Sequence, residues 1–202
     1  MAGIPSTAGY AEEADKLAET YESLTFEKAH RRWLDLMPRA PSFVLDIGAG
    51  TGRDAAGLAK LGHRVTAVEP VAEMRAHGLR LHGDAAIEWI DDILPDLHRV
   101  FTLGRRFDLV MMTAVWMHLD AHERRIALAN IADLVAAGGM LLMSLRHGPV
   151  PEGRRMFDVS AAETRDLAWR HSLACIHEGT ADDMLRRGGV HWTYLAFRRN
   201  AS

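Results

Sequence analysis

Val44-Leu45-Asp46-Ile47-Gly48-Ala49-Gly50-Thr51-Gly52-Arg53 is the stretch that decides the fold. A short apolar run ends in an acid, glycines then recur at every second place, and Ala55, Leu58, Ala59 and Leu61 follow at helical spacing. Strand, tight turn and helix N-terminus in that order form a cradle for a nucleotide-sized ligand. The glycines permit the turn and let a ligand come close to the backbone.

Two details narrow the ligand. Arg53 stands where a dinucleotide fingerprint takes Gly or Ala, and the G-K-[ST] ending of a P-loop is absent. Asp46, just before the glycines, would repel a pyrophosphate laid on the loop. It suits a nucleoside without phosphate that carries cationic groups, as S-adenosylmethionine does with its ammonium and sulfonium. Arg64-Val65-Thr66-Ala67-Val68 reads as the next strand and ends in Glu69-Pro70. An acid there, about 20 residues past the first glycine, is placed to accept ribose hydroxyls. NAD enzymes use the same device, so Glu69 indicates an adenosine ribose without naming the cofactor. A solvated strand end is the alternative.

From Phe43 to Ser144 the chain resembles the class I S-adenosylmethionine-dependent methyltransferases. Phe43 to Pro70 is similar to their first motif and second strand, and Ile87-Glu88-Trp89-Ile90-Asp91-Asp92 to their third strand with the acid that meets adenine. Phe107 to Thr113 is similar to the fourth strand, and Ala114 to Leu119 to the loop after it. Leu134 to Ser144 resembles the L-x-P-G-G-x-L-x-x-S hairpin, with Ala137 in place of the proline. The resemblance implies a Rossmann-like, doubly wound α/β sheet of about seven mostly parallel strands, the last antiparallel. It implies S-adenosyl-L-methionine at Asp46, Gly48, Ala49, Gly50, Arg53, Glu69, Pro70, Asp91 or Asp92, Thr113, Ala114 and Met117. Alternation from Ile90 favours Asp92 over Asp91 for the buried position.

Composition sets the frame. The 202 residues read as one domain, with cap helices over 1–40 and the core over 41–202. A net charge of −3 gives no reason to expect nucleic acid, and no apolar run is long enough for a membrane span. No signal-peptide pattern opens the chain. One cysteine, Cys175, excludes an intrachain disulfide and points to the cytoplasm. It reads as a buried structural thiol in a late strand. Arg31-Arg32, Arg105-Arg106 and Arg186-Arg187 read as solvated faces.

Met1 to Gly9 is an expected mobile lead. Tyr10 to Ser23 and Phe26 to Met37 read as two helices, the second stopped by Pro38 and Pro41. Tyr10 and Tyr21 either touch ligand or pack on the sheet. Asp120 with Glu123, and Ser160 with Glu163, have capping-box spacing. Ile126, Ala129, Ile131 and Leu134 are the expected apolar stripe of the helix after Asp120. Leu173 to His177 and Trp192 to Arg198 read as the last strands.

The loop after the fourth strand holds the best general base, His118, which can take a proton near neutral pH. A structural role for it is equally open. His118 and His122 have metal-pair spacing, but the N-cap at Asp120 leaves His118 outside the helix and no third ligand is evident, so no metal is expected. The long loop after Ser144 carries Arg146, His147, Arg154 and Arg155, candidates with Tyr21 for binding an anionic substrate; a solvated crossover is the alternative. His191-Trp192 is a further candidate wall. The expected activity is methyl transfer to a small-molecule acceptor at O, N or S. A nicotinamide-dependent oxidoreductase and a noncatalytic cofactor-binding protein are the competing readings.

Overall fold

A computed structural model describes residues 5–201, so the start of the expected mobile lead, at 1–4, lies outside the described residues. Strands β1 (Phe43–Ile47), β2 (Arg64–Val68), β3 (Ile87–Ile90), β4 (Phe107–Thr113), β5 (Val135–His147), β6 (Leu173–Asp182) and β7 (His191–Arg199) form one sheet. Its order is β3-β2-β1-β4-β5-β7-β6. Neighbours from β3 to β5 pair in parallel, and β7 runs antiparallel to both of its neighbours. The strand order reverses between β1 and β4, which is where such sheets open a crevice for ligand.

Helices α1 (Ala14–Glu22) and α2 (Phe26–His30) precede the sheet. Helices α3 (Arg53–Lys60), α4 (Ala72–Leu81), α5 (His98–Phe101), α6 (Ala121–Leu134) and α7 (Ala161–Arg170) alternate with its strands. Both faces are covered. Along β4, Val110 and Met112 join the core under α6 and α7, while Leu109 and Met111 join the core under α2 and α3. A strand buried on both faces reads as a continuous apolar run, which is why β4 shows no polar alternation.

Several local expectations need correction. The first helix starts at Ala14, after turns over 10–13. The second stops at His30, and Leu34–Leu36 is a separate 3₁₀ turn. Trp33 is the cause: it is fully buried, stacked on His30 and edge-on to Tyr194 at 5.2 Å, so the chain leaves the helix to insert it. In α6 Ile131 and Leu134 of the expected stripe are buried, but Ile126 and Ala129 are only half-buried, and Arg124, Ala127, Leu128 and Ala132 complete the buried face. Arg124 takes a core-facing place because its guanidinium reaches Glu163 on α7 at 2.9 Å. That contact also halves the second capping box. Ser160 accepts the Glu163 N–H at 3.1 Å, but the Glu163 carboxylate serves Arg124. The Asp120–Glu123 box is complete in both directions. Cys175 is exposed, not buried: β6 is an edge strand, and its register slips between Cys175 and His177.

Candidate active site

The glycine loop is held by its own backbone. Gly48 and Ala49 donate N–H to the Val68 carbonyl at 2.8 and 2.9 Å, and Gly52 donates to the Ala49 carbonyl at 2.9 Å. The Gly50 N–H goes to Glu69 Oε2 at 2.8 Å, and the Val71 N–H to Glu69 Oε1 at 2.9 Å. A pyrophosphate cradle needs free loop N–H groups, and these four are spent within the fold. Glu69 keeps further lone pairs for hydroxyl donors. Burial pushes its carboxyl pKa up, against the two backbone bonds.

Asp46 is buried at the end of β1 with Oδ2 unpartnered among the described residues. Burial raises its pKa well above the usual carboxylate range, and the Asp54 charge adds to this while Arg53 opposes it. A buried acid with one unpartnered oxygen beside the loop is a site for a cation, as the ammonium of S-adenosylmethionine requires.

These groups line one cavity of about 470 Å³ beyond the carboxyl ends of β1, β2, β4 and β5. Gly48, Ala49, Gly50, Arg53, Pro70, Asp92, Thr113, Ala114 and Met117 all face it. Asp91 does not: it is half-exposed and pairs with Arg75 at 3.2 Å. Asp92 is the buried member, as alternation suggests, and it accepts backbone N–H groups from Ile93, Arg99 and Val100. Arg53 ties the cap down, donating to Asp54 at 2.7 Å and to the Tyr21 carbonyl at 3.1 Å. Thr51 adds a 2.6 Å hydrogen bond to Glu22, so α1 is fastened directly to the glycine loop. Ala114 holds φ 60° and donates its N–H to Ser144 Oγ at 3.0 Å, joining the ends of β4 and β5.

The second end of the cavity is built by the cap and the loop after β5. The Tyr10 hydroxyl meets His118 Nε2 at 2.9 Å, and His118 Nδ1 meets the Arg155 carbonyl at 2.9 Å. Burial lowers the His118 pKa below the ordinary 6.5; the Arg155 carbonyl acts the other way, and the Arg154, Arg146 and Arg155 charges reinforce the drop. Burial raises the Tyr10 pKa well above 10.0. Tyr21, Arg146 and Arg154 face the cavity. Arg154 lies over the Tyr10 ring at 4.3 Å and pairs with Glu13.

Two of the anion-binding candidates lie elsewhere. Along β5, Ser144 and Arg146 face the cavity, so alternation sends His147 to the opposite face, where it bonds Thr193 and stacks on His191. Arg155 is a tether: it donates to the His118 carbonyl at 3.0 Å and pairs with Glu123 and Asp120. With the Phe157 N–H on the Met117 carbonyl, it pins the long loop against the loop after β4, so this is no free crossover. No group of three or more His, Cys, Asp or Glu suited to a metal occurs among the described residues. No described helix is long and apolar enough to cross a membrane.

Sequence reasoning missed the segment between β6 and β7. Asp183, Met184, Leu185 and Arg187 line the cavity with Trp192. Arg187, set aside as solvated, closes a bidentate pair with Asp183 at 2.7 and 2.9 Å. The usable signal was the Asp183–Arg187 spacing in a segment that also holds two glycines.

A family described as a methyltransferase domain matches residues 44–139. The chain is 29% identical over 183 residues to the ubiquinone/menaquinone biosynthesis C-methyltransferase of Rubrivivax gelatinosus, covering 71% of this chain and 72% of that enzyme. It is 30% identical over 136 residues to the glycine N-methyltransferase of Homo sapiens, covering 56% of this chain and 46% of that one. The chain thus spans about half the length of this second relative. Among solved structures, a Burkholderia thailandensis 1,6-didemethyltoxoflavin-N1-methyltransferase, with bound 1,6-didemethyltoxoflavin and S-adenosylhomocysteine, superposes with a TM-score of 0.68 at 19% identity. That match covers 99% of this chain and 92% of the other.

Proposed function

The chain belongs to the class I S-adenosylmethionine-dependent methyltransferases, and from that premise we propose that it methylates a small-molecule acceptor held between the cap helices and the loop after β5. The acceptor atom is an oxygen, nitrogen or sulfur. When bound, S-adenosylmethionine supplies an electrophilic methyl group on a sulfonium, already activated by charge. The chain then has to align the two reactants, exclude water and receive a proton.

In this reading Asp46 accepts from the cofactor ammonium, Glu69 from the ribose hydroxyls, and Asp92 faces the adenine edge. Tyr10 and His118 act as a proton relay. Tyr10 takes the acceptor's proton as its own passes to His118 Nε2, whose lone pair is free because the Arg155 carbonyl holds the hydrogen on Nδ1. A cytoplasmic setting, read from the single thiol, belongs to the same proposal.

One observation carries this: a single cavity has a buried acid with an unpartnered oxygen among the cofactor residues and a Tyr–His pair facing the remaining space. Thermal melting with S-adenosylhomocysteine tests it. At 100-fold excess over the dissociation constant, binding adds roughly 2.7 kcal/mol and raises the melting temperature by several degrees. A folded sample that shows no shift would end the proposal. A shift without methyl transfer to any acceptor would favour the noncatalytic reading.

A further inference from the structure

We propose that Arg146 is the anion-binding residue of the acceptor subsite, and that the acceptor carries a single negative charge, a carboxylate on a largely apolar skeleton. This rests on the methyltransferase reading above and adds the class of acceptor to it.

The charges around one chamber single out Arg146. Arg146 stands at the end of β5, buried at 8% exposure, facing the same cavity as Tyr10 and His118. Its contacts are neutral: the Pro149 carbonyl at 2.9 Å and the Met156 thioether at 3.9 Å. No carboxylate pairs with it among the described residues. The other three arginines that line the cavity are satisfied, Arg53 by Asp54 at 2.7 Å. Arg154 pairs with Glu13. Arg187 pairs with Asp183, whose Oδ1 also accepts from Trp192 Nε1 at 2.9 Å and whose Oδ2 also accepts the Arg187 N–H at 2.9 Å. Asp183 acts on Arg146 through its charge but has no lone pair left to hydrogen-bond it.

A buried guanidinium stays charged, and a buried charge is costly unless it is paired. The cofactor would bring a sulfonium and an ammonium against one carboxylate, and so adds net positive charge to the same cavity. His118 cannot offset either, since its imidazole is neutral or positive. An anionic acceptor would supply the counter-charge that Arg146 lacks among the described residues. A carboxylate fits the planar fork of a guanidinium with two parallel hydrogen bonds. One arginine without a paired carboxylate matches a monoanion better than the dianion of a phosphate monoester. Met156, Trp192 and Tyr21 supply the apolar walls for the rest of the molecule.

The test uses the full chain saturated with S-adenosylhomocysteine, titrated calorimetrically with benzoate, benzamide and phenyl phosphate. Benzoate is expected to bind at least about 10-fold tighter than its neutral isostere benzamide. Arg146→Met should erase that preference while still binding S-adenosylhomocysteine, and Arg146→Lys should restore part of it. Equal binding of benzoate and benzamide by the wild-type chain overturns the assignment. So does an unchanged preference in Arg146→Met, or tighter binding of phenyl phosphate than of benzoate. Failure of the wild-type chain to bind S-adenosylhomocysteine is a separate result: it removes the methyltransferase reading itself, and this inference with it.

Discussion

The Tyr10 hydroxyl and His118 Nε2, 2.9 Å apart, join residues separated by 108 positions, from the cap and from the loop after β4. The direction of this bond follows from the other side of the ring. A carbonyl can only accept, so the Arg155 contact puts the hydrogen on Nδ1, and Tyr10 donates to Nε2. With its pKa pushed below 6.5 by burial, His118 is neutral at pH 7. Nitrogen-15 NMR should find the Nδ1–H tautomer, with titration below 6.5, and Tyr10→Phe should leave the tautomer unchanged because Arg155 sets it. An Nε2–H tautomer would contradict the relay. Its active form is unprotonated, so kcat/KM should fall as pH drops through the His118 pKa. His118→Asn should cost about 10²- to 10⁴-fold in kcat with cofactor affinity kept.

Asp46 predicts a proton coupled to cofactor binding. Its pKa in the folded chain lies well above 3.8, raised by burial and then by Asp54. Between 3.8 and the raised value the folded chain holds a proton that the unfolded chain has released. The group therefore costs stability as pH rises through that window. An ammonium placed beside Asp46 favours the charged form and expels the proton. Calorimetry of S-adenosylhomocysteine in buffers of different ionisation heat should show proton release that fades above the raised pKa. Asp46→Asn should bind more weakly and release none at this site. Heats independent of buffer in the wild-type chain would mean that Asp46 is not the ammonium's partner.

The cofactor half of the site was legible because it is local. Asp46, the glycines and Glu69 belong to one strand–turn–helix–strand unit, and 19 positions separate Gly50 from the Glu69 oxygen it meets. The acceptor half is assembled from segments far apart in the chain. Tyr10 and Arg154 come together across 144 positions, and Arg187 enters from a loop with no periodic pattern. Trp33 broke a helix that its local spacing supported, because burial against Tyr194 outweighed helix propensity. His147 and Arg146 are neighbours of similar chemistry. Only the phase of β5 separates them, and that phase is fixed by pairing with β7.

The Gly50–Glu69 bond predicts graded losses. Gly50 holds φ 58°, and a Cβ there would sit 3.6 Å from Met74 and Tyr21, so the protein itself has room. The penalty for Gly50→Val is backbone strain of about 1–3 kcal/mol, together with a side chain intruding on the cofactor. Cofactor binding should be abolished. Glu69→Ala strands the N–H groups of Gly50 and Val71, each costing about 1–3 kcal/mol when buried. It should lower the melting temperature and weaken S-adenosylhomocysteine by about 10-fold or more, with Glu69→Gln intermediate. Normal binding by both Gly50→Val and Glu69→Ala would place the cofactor elsewhere.

Asp183 makes the segment between β6 and β7 sensitive to acid. Burial alone would raise its pKa. The Arg187 side chain, the Arg187 N–H and the Trp192 indole overcome that and bring it to about 2, from an ordinary 3.8. A depressed carboxyl pKa gives stability that is fully present above 3.8 and is lost as pH falls through 2. The shift corresponds to about 2 kcal/mol. Asp183→Asn should therefore lower the unfolding free energy by on the order of 2 kcal/mol near neutral pH, with wild type and variant converging toward about pH 2. Urea unfolding at the two pH values reads this directly. A difference that stays constant with pH would mean that Asp183 acts through packing and not through charge. The variant also leaves Arg187 unpaired beside Tyr10 and Tyr21. It should then bind benzoate more tightly than the wild-type chain does, because a second guanidinium has lost its counter-ion.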